Sequence, residues 1–223
     1  VKQLDFYGGE PLMSKKMWET LRKAIDKNVS NDIELHYNTN GTHFPKEVEL
    51  WKDFKEVNVS FSIDGINNQF EYMRFPAKWN QVLDNMNKFH ELSANYKNMN
   101  LSWCITLSVT NIYYVKETVE FFHKQFGHNT GMYLNLVHGP EHHNIKILPD
   151  SVKDKVIEKL ESISKDIQPA WHHIPGVINF MRNSESNIIL LDKYKQLTKT
   201  SDIFRGHNFN DNFPEYAEIL DNV

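Results

Sequence analysis

Strand-like and helix-like text alternate along the first 140 residues, and that alternation constrains the fold more than any other feature of the chain. Lys2 to Tyr7 reads as a strand ending in Gly8-Gly9. Ile33 to Thr39 alternates and stops at Asn40-Gly41. Val57 to Ile63 alternates cleanly before Asp64-Gly65. Leu101 to Val109 and Met132 to Val137 complete the set, the last running into His138-Gly139-Pro140. Helical spacing separates them: Trp18, Leu21 and Ile25 behind a Ser14 cap, then Val48, Trp51 and Lys55 after Pro45, with Phe54 beside them. Val82, Met86 and Phe89 follow an Asn80 cap, and Val115, Val119, Phe122 and Phe126 mark a further helix. Strands alternating with helices build parallel βαβ units, so the expected class is α/β, as a doubly wound sheet or as a barrel segment. Both place ligands at the C-terminal ends of the strands.

From Asp150 the text turns helical: Val152, Val156, Leu160 and Ile163, then Trp171 to Met181 and Ile188 to Leu197. This places a boundary near residue 150, with a βα domain over 1–150 and a mostly helical extension over 151–223, ending in loop text and a short helix. The 223 residues carry 25 Lys and Arg against 29 Asp and Glu with no basic stripe, which argues against duplex nucleic acid as the main partner. The longest aliphatic run, Ile188 to Leu191, is far short of a membrane span, and no charged leader opens the chain, so the expected setting is the cytoplasm. The one cysteine, Cys104, supports neither a disulfide framework nor an iron–sulfur cluster by itself. Inside a predicted strand it reads as a core residue.

The strand ends carry the chemistry. In Gly8-Gly9-Glu10-Pro11 two glycines let backbone approach a ligand, a carboxylate is placed to hold an ammonium group, and Pro11 sets the chain direction. An acid after the glycines repels phosphate, so a cationic, amino-acid-like ligand fits better. An exposed Glu in an ordinary strand-to-helix turn is the plainer alternative. His138, His142 and His143 surround Glu141 without a helical metal-binding spacing, and His138 with Glu141 is expected near a substrate mouth. Aromatic residues from Phe70 to Trp79 read as core or loop anchors rather than a nucleobase platform. No Walker loop and no GxSxG occurs.

In order and spacing, LDFYGGEPLM, NTNGT, VSFSIDG and a strand ending in VTN resemble the radical SAM superfamily, nearest to its group with SPASM or twitch extensions. EYMRFPAKW and the late RG followed by FPEY share that likeness. The resemblance covers roughly residues 3 to 150 and implies a partial (β/α)6 barrel. It also implies S-adenosylmethionine, a 4Fe–4S cluster on a CxxxCxxC loop, and an electron donor such as flavodoxin or ferredoxin. The activity implied is reductive cleavage of the cofactor to a 5′-deoxyadenosyl radical that abstracts a hydrogen atom from an unknown, peptide or small biosynthetic, substrate. By the same resemblance Gly8, Gly9, Glu10 and Pro11 hold the cofactor's amino group, Ser62 meets its carboxylate or ribose, and Asn40 and Asn111 lie near the ribose and methionyl group. Arg74 pairs with the cofactor carboxylate or a substrate anion, or is a plain surface arginine. Asp64 stands in the same set, although a role in shaping its turn with Gly65 is the favoured reading.

Two departures qualify the likeness. CxxxCxxC is absent; since the chain opens at Val1 in strand-like text, its ligands are expected upstream. The chain alone is then expected to be inactive and poorly stable, with an open sheet edge. No cysteine follows Cys104, so a cysteine-ligated auxiliary cluster is not expected. The competing expectation is a cluster-free barrel relative that binds a ligand or partner.

Overall fold

Strand side chains alternate between a buried apolar face and a polar one, most regularly along the third and fourth strands. The computed structural model describes residues 1–127 and 130–223. Strands β1 (Gln3–Phe6), β2 (Glu34–Thr39), β3 (Glu56–Ser62), β4 (Met99–Leu107) and β5 (Gly131–Leu136) form one sheet in the order β1-β2-β3-β4-β5. The pairs from β1 to β4 are parallel. A doubly wound sheet reverses its strand order at a switch point, whereas this one runs in sequence, as in a barrel segment.

Register sorts the side chains by face. Leu35, Val57 and Met99 align across neighbouring strands, as do Tyr37, Val59 and Leu101, and all six are buried. On the other face Asp5, His36, Asn58 and Asn100 form one row, and Asn38, Ser60 and Ser102 form the next. Parallel sheets covered on both sides read as continuous apolar runs, so a polar row marks a face turned toward something other than core. Ser60 and Ser102 hydroxyls bond at 2.7 Å, and Asn100 donates to Asn58 Oδ1 at 3.1 Å. Cys104 is half-buried beside them in register with Ser62, not a core residue, because β4 sends Trp103 and Ile105 inward instead.

Two compact units are built from interleaved segments. The first comprises Val1–Ile63, Ala77–Cys104 and a short stretch ending at Met132. It includes helices α1 (Lys15–Asp26) and α3 (Trp79–Asn95). Ser14 caps α1 as its sequence position predicts, its Oγ accepting from Met17 N at 3.3 Å. Asn80 does not cap α3. The helix begins at Trp79, whose burial draws it into the first turn, and Lys78 takes the cap position without a side-chain capping bond. The helix expected after Pro45 is 3₁₀, spanning Lys46–Asp53. Val48, Trp51 and Phe54 are buried at steps of three, the period of a 3₁₀ turn, while Lys55 leaves that face to pair with Glu34 at 2.6 Å. Trp51 contacts Tyr37 and Phe89 with ring centroids 5.0 and 5.9 Å apart, and Phe61 joins Phe89 to Trp103. These fully buried rings supply the largest apolar burial in the unit.

The second unit comprises Asp64–Pro76, a stretch beginning at Ile105, and Tyr133–Val223. Its helices are α2 (Asn67–Met73), α4 (Val115–Phe126), α5 (Asp150–Glu161), α6 (Gln168–Trp171), α7 (Ile174–Arg182), α8 (Ile188–Arg205), α9 (Phe209–Asn212) and α10 (Pro214–Asp221). Residues 151–223 belong to this unit together with α2 and α4. Its core includes Val115, Val119, Phe122, Val156, Tyr194, Phe213 and Tyr216. No helix among the described residues is long and apolar enough to cross a membrane.

Candidate functional site

The strand-end residues named from the sequence divide between the units. Gly8, Gly9, Glu10, Pro11, Asn40 and Ser62 belong to the first, and Asp64, Arg74 and Asn111 to the second.

In the first unit the chain leaves β1 through Gly8 and Gly9 at φ +79° and +56°. L residues are strained there, which explains the glycines; a Cβ added at either would meet nothing within 4 Å. The next residue is not the exposed glutamate of an ordinary turn. Glu10 is half-buried and caps the 3₁₀ turn Pro11–Met13, its Oε1 accepting from Leu12 N at 3.3 Å. The same oxygen accepts from the Thr39 hydroxyl at 2.7 Å, and Oε2 accepts from Asn40 N at 2.9 Å. An ionised carboxylate has about four acceptor positions. Three are engaged, so the group is fixed in orientation with capacity remaining on Oε2. Pro11 is buried at the first position of that turn and sets its direction.

Asn40 folds back on its own loop, its Oδ1 accepting from Thr42 N at 2.9 Å and from Thr42 Oγ1 at 2.6 Å. Gly41 follows at φ +73° against Val82 and Phe61, and its carbonyl accepts from Asn85 Nδ2 at 2.9 Å. Ser62 ends β3 on the polar face, half-buried. Thr39 was not singled out from the sequence. Its signal was present, since a threonine on the apolar face of a strand needs a partner for its hydroxyl once buried.

In the second unit Asp64 does more than shape its turn. Its Oδ1 accepts from Thr106 N at 2.9 Å, and its Oδ2 pairs with Arg74 Nη2 at 2.6 Å. The turn-only expectation fails because chain leaving one strand end needs an acceptor for the backbone of the neighbouring strand. Arg74 is likewise not a plain surface arginine; it caps the end of α2 and keeps a buried Nε with no hydrogen-bond partner. Asn111 is 2% exposed. Its Nδ2 donates to the carbonyls of Asp64 and Thr106, both at 2.9 Å, and its Oδ1 accepts from Ser108 N at 2.8 Å and Ser108 Oγ at 3.2 Å. Every donor position of its amide is therefore occupied by the chain itself. Ser108 N–H is thereby taken from the strand ladder, and β4 ends at Leu107, two residues before the sequence expectation.

Beside these residues lies a cavity of about 480 Å³ within the second unit. His142 and His143 line it, whereas His138 and Glu141 do not; Glu141 instead pairs with Lys146 at 3.8 Å. The two histidine rings lie 4.5 Å apart, and His143 packs edge-on to Tyr194 at 5.6 Å. Burial and the neighbouring His142 push the His143 pKa down. Tyr194 is fully buried, its phenol pushed up to about 12 by burial, and it bonds Thr110 Oγ1 at 3.1 Å. Tyr72 donates to Asp202 Oδ1 at 2.7 Å, and burial followed by that carboxylate raises its pKa. Phe70, Tyr72 and Trp79 are buried as core anchors are, whereas Phe75 is exposed. Among the described residues no group of three or more His, Cys, Asp or Glu is placed to hold a metal ion.

A family profile described as "Radical SAM superfamily" matches residues 1–122. Among solved structures, native anSMEcpe with bound AdoMet and Cp18Cys peptide is similar at 16% identity with a TM-score of 0.50, over 75% of this chain and 48% of that one. Native anSMEcpe with bound AdoMet and Kp18Cys peptide is similar at 16% identity and a TM-score of 0.50, again over 75% and 48% of the two chains. The chain thus spans about half the length of these structures, and at such identity the likeness is one of fold. No curated protein matches the chain.

Proposed function

The chain belongs to the radical SAM superfamily, and on that premise we propose that it carries S-adenosylmethionine-binding residues of an enzyme that cleaves this cofactor reductively. Bound, the cofactor supplies the group that abstracts hydrogen from a substrate. The observation that carries the reading is the Glu10 carboxylate. Thr39 and Asn40 hold it in one orientation with acceptor capacity left on Oε2, beside a Gly8-Gly9 backbone without side chains. That set fits the amino end of the cofactor: Oε2 accepts from the ammonium, and the glycine backbone leaves room for it. Ser62 and Asn40 fit as further polar contacts. Asn111 and Asp64 act as positioning residues, holding the ends of β3 and β4 by backbone bonds. The residues present do not fit an iron–sulfur cluster, since Cys104 is the one thiol of the chain.

The same reading assigns the protein to the group with SPASM or twitch extensions, with residues 151–223 as the extension. It places the protein in the cytoplasm with a flavodoxin or ferredoxin as electron donor. A second reading, which the lone thiol of this chain also fits, is a relative that binds its ligand without a cluster. Equilibrium dialysis of S-adenosylmethionine against the chain tests what both readings share at Glu10. Glu10→Gln places an amide N–H against a donor at one oxygen or the other, and affinity is expected to fall at least tenfold. Unchanged affinity, with an unchanged far-ultraviolet spectrum, overturns the assignment. Single-turnover cleavage by the full-length protein under reducing conditions separates the two readings.

A further inference from the structure

The second unit's cavity has a charge balance that its structural role does not explain. Tyr194, Thr198, Ser201 and Arg205 line it from α8 at steps of four, three and four, one stripe of a single helix. His142 and Ser108 line it from the loops beyond β5 and β4. Nearly every polar group in this lining is able to donate a hydrogen bond: hydroxyls, imidazoles and a guanidinium. The one lining carboxylate, Asp64, is already neutralised by Arg74 at 2.6 Å. Asp202, one turn before Arg205 on α8, is engaged through both oxygens, by the Tyr72 hydroxyl and by Phe209 N, each at 2.7 Å. Among the described residues no carboxylate pairs with Arg205; its guanidinium lies 5.7 Å from the Phe75 ring centroid. The lining therefore presents hydroxyl and imidazole groups able to donate, an unmatched guanidinium, and no carboxylate that is not already paired.

We infer that this cavity binds the oxyanion of a small polar molecule, a phosphate or a carboxylate, with Arg205 and His142 as its charged and ring N–H ligands and the α8 hydroxyls as further donors. A volume of about 480 Å³ holds such a group together with several attached carbons. The inference deepens the enzymatic reading by naming the substrate's chemistry, and it rests on that reading for the word substrate. Anion binding itself needs neither cofactor nor cluster, so its failure is distinguishable from a failure of cofactor binding at Glu10.

The test is a nuclear magnetic resonance titration of the ¹⁵N-labelled chain at constant ionic strength, following the Arg205 Nε–H and the His142 and His143 ring signals. The probes are inorganic phosphate, acetate and choline chloride. Phosphate or acetate is expected to shift these signals saturably, choline is not, and Arg205→Gln is expected to weaken binding at least fivefold. Arg205 is exposed in the last turn of α8, and the variant's backbone spectrum reports whether the fold is retained. Saturation by phosphate alone assigns a phosphoryl ligand, and by acetate alone a carboxylate. No saturable shift, equal shifts with choline, or unchanged affinity in Arg205→Gln overturns the inference.

Discussion

Replacing Asn111 by alanine removes one side chain and strands three backbone groups. The amide at this position supplies two donors, to the carbonyls of Asp64 and Thr106, and one acceptor to Ser108 N–H. The Ser108 hydroxyl recovers a water or another partner, so it is left out of the sum. Leaving a buried polar group unsatisfied costs about 1–3 kcal/mol. Asp64, Thr106 and Ser108 are half-buried rather than fully buried, which favours the low end for each. Three groups at about 1 kcal/mol give a loss of about 3 kcal/mol, a large share of the stability of a typical domain. With a urea slope of about 2–3 kcal/mol per molar, the midpoint should move down by about 1 M. Urea unfolding followed by circular dichroism reads this directly, and amide hydrogen exchange at Thr106 and Ser108 should accelerate in the same variant. A loss below about 1 kcal/mol would refute the reasoning, because it would mean that water replaces the amide freely at these strand ends.

Two further outcomes follow from the same structure. Gly41→Ala adds a Cβ 3.0 Å from Val82 Cγ1 and 3.3 Å from Phe61 Cδ1 at φ +73°, whereas Gly8→Ala at φ +79° meets nothing within 4 Å. Urea unfolding should show a loss of about 1–2 kcal/mol for Gly8→Ala, from strain alone, and clearly more for Gly41→Ala, where crowding adds to it. The His143 pKa is depressed in the folded state, so between the unfolded value of 6.5 and the lower folded value the unfolded chain binds more protons. This contribution to stability is full above pH 6.5, declines as pH falls through that window, and levels off below the folded pKa. A series of urea midpoints in His143→Gln should show a flatter pH dependence there than in the parent chain; identical profiles would exclude His143 as the source.

Much of the strand framework was legible because its signal is local. A period of two in VNVSFSI, and strand ends punctuated by glycine, report the backbone within a few residues of themselves. The 3₁₀ segment shows where that reading stops. Val48 and Trp51 are three apart, a spacing that both helix types permit, and only the burial of Phe54 rather than Lys55 separates them. The start of α3 departs from the sequence pattern for a related reason. Asn80 is a good cap by composition, but Trp79 has core to fill, and packing overrides the cap preference. In the sequence, closeness to a strand end singles out His138 and Glu141. The 3₁₀ turn over Glu141–His143 nevertheless carries the next two residues, His142 and His143, to the cavity.

By itself the sequence determined the class of the fold and the approximate positions of the strand ends, since each depends on patterning within short segments. Tertiary structure decided the strand order, and with it which strand ends are neighbours. It decided that Glu10 would be held by Thr39 and Asn40, 29 and 30 residues away, and Asp64 by Thr106, 42 residues away. Those bonds depend on register between strands. Register is set by the packing of apolar faces contributed from the whole chain, and no window of the sequence contains it.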